Sequence, residues 1–254
     1  MRINRRQFVR ISGAGLASLL VRPMSSLAAR HDRPNIMIVI ADDMTWRDCE
    51  PYGNTDVRTP NMSRLAREGM CFDAMFTSTA MCAPTRQQLY TGMFPVRNGA
   101  YPNHSKVYDG VKSLPTYLKA LGYRVGLIGK RHFGPADSYP FESVGARGNK
   151  KGASNTDAIA EFVNRDTEQP YCLVVCSNEP HGPWNRGNPD AYDPAALKVA
   201  PYMVDCRRTR EELTKYYAEI TYLDGELGGC MDVVDASGQK DNTIVIFTSE
   251  QGFH

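Results

Sequence analysis

Short continuous apolar runs alternate along this chain with stretches whose apolar residues recur every three or four positions. Four runs, Asn35 to Ile40, Tyr123 to Ile128, Tyr171 to Cys176 and Thr243 to Thr248, are rich in Ile, Val and Leu. A strand with apolar side chains on both faces must be covered on both, so these runs predict buried parallel strands. Helical patterns lie between them. Thr59-Pro60 supplies a cap and then a proline at the first helical position, leading into Met62 to Glu68, which Gly69 ends. Ser113-Leu114-Pro115 opens a second helix that Gly122 closes, and a longer one runs from Arg210 to Val234 with Glu211 and Glu212 near its start. This alternation predicts an α/β architecture, a doubly wound, mostly parallel sheet flanked by helices. Pro183 to Pro201, rich in Pro, Asn, Asp and Gly, predicts a long surface loop. The last apolar run is followed only by Ser249 to His254, where a covering helix normally comes next, so an incomplete domain is expected.

The first residues change the reading of charge and compartment. Asn4-Arg5-Arg6-Gln7-Phe8-Val9-Arg10 is a basic segment leading into an apolar run, Ile11 to Val21, followed by small residues at Ser25, Ser26, Ala28 and Ala29. The run is broken by Gly13 and Gly15 and falls short of the ~20 residues that span a bilayer, so it predicts an export signal and no lasting membrane insertion. Paired arginines followed by Phe8 indicate the twin-arginine export machinery, a leader at 1–28, a mature domain at 29–254 and a periplasmic or secreted product. Removing Arg2, Arg5, Arg6, Arg10 and Arg22 takes the formal charge from +2 to −3. No basic surface is then left to suggest nucleic acid as a partner. Seven cysteines in an exported chain invite pairing, but the number is odd and no metal-binding Cys-x-x-Cys occurs. Cys172 and Cys176 sit inside an apolar run and read as small hydrophobes.

In an open α/β sheet, ligands bind beyond the carboxyl ends of the strands, and here each run delivers polar residues at that point. The first gives Asp42-Asp43, the second Lys130-Arg131-His132, the third Ser177 to Pro183 with His181, and the fourth Glu250-Gln251. Cys82-Ala83-Pro84-Thr85-Arg86 adds a thiol before a proline turn and an arginine four positions on. On its own the thiol is open to several readings: nucleophile, ligand, disulfide partner or buried small residue. Asp42, Asp43, Glu250 and the Gln251 amide are oxygen donors that suit Ca²⁺ or Mg²⁺ better than zinc. Lys130 and Arg86 suggest an anionic substrate, and His132 and His181 are the natural proton carriers.

These residues resemble the sulfatases of the alkaline phosphatase superfamily. The pattern Cys-x-Pro-x-Arg followed by Leu and Thr-Gly is matched by Cys82, Pro84, Arg86, Leu89, Thr91 and Gly92. Around it stand Ala41-Asp42-Asp43, Thr59-Pro60-Asn61, Gly129-Lys130-x-His132 and Pro180-His181-x-Pro183. Within the family, Gly129 to Pro135 with Tyr139-Pro140-Phe141, and Ala191 to Pro194, look like the heparan N-sulfatase (sulfamidase) branch. The resemblance implies an alkaline phosphatase-like fold and hydrolysis of sulfate esters or sulfamates on sulfated saccharides. It implies that a maturation enzyme converts Cys82 to Cα-formylglycine, whose hydrate attacks sulfur beside a divalent cation, Ca²⁺ with Mg²⁺ as the alternative. Asp42, Asp43, residue 82, Glu250 and Gln251 would hold that cation. His181 would protonate the leaving group, His132 would take the proton that lets sulfate depart, and Lys130 and Arg86 would bind the charged oxygens. Two departures stand out. Glu250-Gln251 replaces the family's Asp followed by Asn or His, and the family's C-terminal subdomain, with another active-site lysine, is expected to be lacking. A phosphate or phosphonate ester hydrolase and an inactive fragment are the competing readings.

Overall fold

The computed structural model describes residues 33–145 and 152–252. The leader lies outside these residues, as does His254. Five parallel strands form one sheet in the order β3-β2-β4-β1-β5. They are β1 (Asn35–Ala41), β2 (Arg124–Gly129), β3 (Glu142–Ser143), β4 (Tyr171–Cys176) and β5 (Thr243–Ser249). The helices are α1 (Pro60–Glu68), α2 (Cys82–Thr91), the single turn α3 (Pro95–Asn98), α4 (Leu114–Ala120), α5 (Thr156–Asn164) and α6 (Arg207–Ala236). Non-sequential parallel neighbours require crossovers, and the helices supply them on both faces, giving the doubly wound arrangement.

Side-chain alternation along the strands sorts the core into two layers. Met37, Val39 and Ala41 of β1 with Leu173 and Val175 of β4 face α1, α5 and α6, against Met62, Ile159, Phe162, Ile220, Leu223 and Leu227. Ile40, Val125, Leu127, Cys172, Val174 and Cys176 face the other way, where Tyr90 of α2 meets Phe133, Tyr139 and Phe141. Every residue of β4 is buried, as expected for a central strand covered on both faces.

Some expectations are corrected. The fourth apolar run is an edge strand on this sheet and only half covered, with Ile244 and Ile246 exposed, because no helix among the described residues lies over that face. The short β3 carries no apolar run and was not expected. Thr59 does not cap α1; its hydroxyl accepts instead from the Glu50 amide, at 2.9 Å. Helix α6 begins at Arg207, three residues early, so Glu211 and Glu212 fall in its second turn. The segment 183–201 is irregular but not purely surface, since Tyr192 and Leu197 reach into the core. Pro84 lies within the first turn of α2, so Cys82 opens the helix directly. All seven cysteines are free.

The candidate active site at the carboxyl edge of the sheet

Strand register brings the polar residues together. Ile40 pairs with Cys176, Ala41 with Ser249, and Gly129 with Cys176. The residues that follow therefore emerge on one edge. Backbone bonds continue past the strands and fix them there: Asp42 N–H donates to Glu179 O at 2.9 Å, Lys130 N–H to Cys176 O at 3.1 Å, and Ser177 N–H to Ile40 O at 2.9 Å. Gly129 makes this approach practicable. Its φ is +89°, and a Cβ placed on it would lie 1.9 Å from Cys176 O, so no other residue fits.

Helix α2 aims at the same edge. Residues four apart share a helix face, and their side chains lean toward the N-terminus. Arg86 consequently reaches back toward Cys82, wholly buried, to pair with Asp42 at 3.6 Å and with Glu250. The positive end of the helix adds to the attraction for negative charge.

The ligand atoms of Asp42, Asp43, Cys82 and Glu250 all lie within 4.8 Å of one another. Glu250 Oε1 and Gln251 Oε1 are buried without a hydrogen bond, and Asp42 Oδ1 has only the longer Arg86 contact at 3.6 Å. Buried acceptors are rarely left that way, and an oxygen-rich set of this kind fits a hard divalent cation. The chain thus has the donors for one. The extra methylene of Glu250 lets it serve the cluster while also pairing with Arg86. Gln251 differs from expectation: its Nε2, not its oxygen, faces the cluster, donating to Asp43 Oδ1 at 2.5 Å and lying 3.7 Å from Cys82 Sγ. Half a turn of the amide exchanges the two atoms and would present the oxygen to a cation.

The electrostatics follow from burial and crowding. Glu250 is pushed up to about 8, first by burial and then by the adjacent Asp42 carboxyl. For Asp42 burial acts upward, but the adjacent Glu250 carboxyl and the charges of Lys130 and Arg86 outweigh it and hold it below the ordinary carboxylate value. The Cys82 thiol is raised to about 12 by burial and by the negative charge of Glu250. A thiol held up in this way carries little thiolate at neutral pH.

Lys130 Nζ pairs with Asp42, and both line a cleft of about 340 Å³ together with His181, Asn178, Asn185 and Arg186. His181 Nδ1 donates to Gly182 O at 2.8 Å, leaving Nε2 on the cluster side, 3.6 Å from Asp43. His132 makes its ring hydrogen bond away from the carboxylates. Its Nε2 lies 2.8 Å from Nδ1 of His104, a residue the sequence reading did not single out.

The sulfatase family model matches residues 34–254. The chain belongs to the sulfatase family. An ulvan-active sulfatase of Formosa agariphila is 33% identical over 234 residues, covering 89% of this chain and 46% of the relative. Human N-sulphoglucosamine sulphohydrolase is 29% identical over 253 residues, covering 86% and 50%. The chain spans about half the length of the curated relatives it matches. A solved Bacteroides thetaiotaomicron structure, described with the metabolism of multiple glycosaminoglycans, superimposes with a TM-score of 0.77 at 20% identity, covering 87% of this chain and 62% of that one. Phosphonate monoester hydrolase of Agrobacterium radiobacter gives 0.71 at 20% identity, covering 87% and 63%. At such identities these likenesses establish the sulfatase-type fold. Among the described residues, no helix is long and apolar enough to cross a membrane.

Proposed function

We propose that this chain carries the catalytic centre of a sulfuric ester hydrolase or sulfamidase acting on sulfated saccharides. The observation that carries this reading is Cys82 with its ligand atom within 4.8 Å of those of Asp42, Asp43 and Glu250, beside a cleft that holds Lys130 and His181. A maturation enzyme converts the Cys82 thiol to formylglycine, which supplies an oxygen nucleophile in its place. A calcium or magnesium ion, held by Asp42, Asp43, Glu250 and the Gln251 oxygen, would supply Lewis-acid polarisation there.

The remaining tasks fall to the chain's own side chains. Lys130, anchored on Asp42, binds the sulfate oxygens and offsets charge that builds up on them. Buried Arg86 holds Asp42 and Glu250 in place. His181, oriented through Gly182, delivers a proton to the leaving oxygen or nitrogen, and His132 takes one from the nucleophile at position 82. The leader at 1–28 directs the folded protein through twin-arginine export to the periplasm or beyond.

Hydrolysis of 4-nitrophenyl sulfate and N-sulfoglucosamine by protein co-produced with a formylglycine-generating enzyme tests the proposal. Turnover of either that is abolished in Cys82→Ala supports it. Preference for an aryl phosphonate, or no turnover of any of these substrates, overturns it.

A further inference from the structure

Three residues other than glycine adopt the left-handed conformation among the described residues: Asp43 (φ 63°), His104 (φ 62°) and His132 (φ 48°). Such a backbone is costly for a residue with a Cβ unless its surroundings enforce it. Asp43 belongs to the carboxylate cluster. The other two meet each other.

The loops carrying His104 and His132 are pinned together. Gln87 of α2, fully buried, donates to Ser105 O at 3.0 Å and accepts from Val107 N–H at 3.2 Å and Gly134 N–H at 3.4 Å. Val107 N–H also reaches Gly134 O at 3.0 Å. Both histidines are thereby fixed within a few residues of a common anchor. Their rings lie 4.8 Å apart, and His132 Nε2 meets His104 Nδ1 at 2.8 Å.

One nitrogen of this pair must donate and the other accept. If His104 donated, a neutral His132 would carry its remaining hydrogen on Nδ1, which is buried and has no partner. Orphaned buried N–H groups are rarer than orphaned acceptors. The surroundings argue the same way. Lys130 and Arg86 are cations near His132, and both already pair with Asp42, the nearby anion. A lone pair is better placed among cations than an N–H. His104 itself is exposed, so its Nε2–H has water to bond with.

We propose that His104 is a positioning residue: it accepts the Nε2–H of His132 and so leaves His132 Nδ1 as the bare nitrogen that takes a proton. This rests on the reading of His132 as a base at a sulfatase centre. When Nδ1 gains the proton of the position-82 hydroxyl, the Nε2 proton can pass to His104 Nδ1, and His104 Nε2 releases one to water. Protons balance, no electrons move, and the charge ends in solvent.

The test uses the full 254-residue chain labelled with ¹⁵N-histidine, with long-range ¹H–¹⁵N spectra reporting which ring nitrogen of His132 is protonated. The proposal expects the Nε2–H form; an Nδ1–H form overturns it. Two variants separate the acceptor from the backbone, because Gly and Asn both tolerate a left-handed φ. His104→Asn keeps an acceptor oxygen near the place of Nδ1 and should keep the His132 tautomer. His104→Gly removes the acceptor, should give a mixture of tautomers, and should lower kcat on 4-nitrophenyl sulfate by about 10- to 100-fold with KM changed by less than about twofold. A His104→Gly enzyme with undiminished kcat overturns the proposal. Absence of turnover by the unaltered protein counts against the proposed function, and the tautomer spectra still decide the role of His104.

Discussion

Replacing Arg86 by methionine keeps much of the stem volume and removes a wholly buried charge. Asp42 then loses a partner at 3.6 Å and Glu250 loses its ion-pair partner, while Lys130 still holds Asp42. Removing one member of a buried ion pair typically costs about 3–5 kcal/mol, because the other charge is left without compensation. For a domain of this size each kcal/mol lowers Tm by about 2–4 °C, so a fall near 10 °C is expected. The cost should depend on pH. At pH 6 Glu250, already raised to about 8, escapes by staying protonated, and the loss falls at the low end of the range. At pH 9 that escape has its own cost, and the loss moves to the high end. Calcium restores part of it, since an ion at 100 times its Kd contributes about 2.7 kcal/mol. Circular dichroism melts in chelator at the two pH values, then with added calcium, make the measurement. A loss below about 1 kcal/mol at pH 9 in chelator would refute the claim that Arg86 neutralises this cluster.

Other outcomes follow from the same site. The folded value of Glu250 is raised, so it contributes stability below its ordinary 4.5 that is lost as pH rises through about 8. In chelator, Glu250→Gln should therefore flatten the decline in stability between those values, as urea titrations at several pH values would show; an unchanged slope argues against the buried pair. The lowered Asp42 acts only at acid pH, where its stabilisation is lost as pH falls through its folded value, and does not disturb this window. Gly129→Ala combines a left-handed backbone with a Cβ forced onto Cys176 O and should cost about 3 kcal/mol or more in urea unfolding. In protein made without a maturation enzyme, iodoacetamide at pH 8 should modify exposed Cys71 and Cys206 well before Cys82. Rapid labelling at Cys82 would show that its thiol is not suppressed.

Much of the fold was legible because the strands are self-announcing. Tyr171 to Cys176 has no polar residue and matches β4 end to end. The strand-end rule then placed Asp42, Lys130, His181 and Glu250 on one edge before any geometry was known. What escaped was set by contacts remote in sequence. β3 is two residues long and exists only because β2 offers Gly126 and Leu127 as partners. Thr59 carries a capping residue type, but Glu50 claims its hydroxyl. His104 lies in a polar turn with nothing to distinguish it; its role emerges only where the chain brings His132, 28 positions later, against it. The Gln251 amide lies beside Asp43, and which of its ends faces inward depends on whether a cation or the Asp43 carboxylate is its partner.

The account turns on the state of residue 82 in the purified protein. Peptide mass spectrometry of the segment from Cys82 to Arg86, isolated from a host that makes a formylglycine-generating enzyme, tests this directly. The account predicts an aldehyde in place of the thiol, confirmed by capture with a hydrazide. A peptide that retains only the thiol would contradict it.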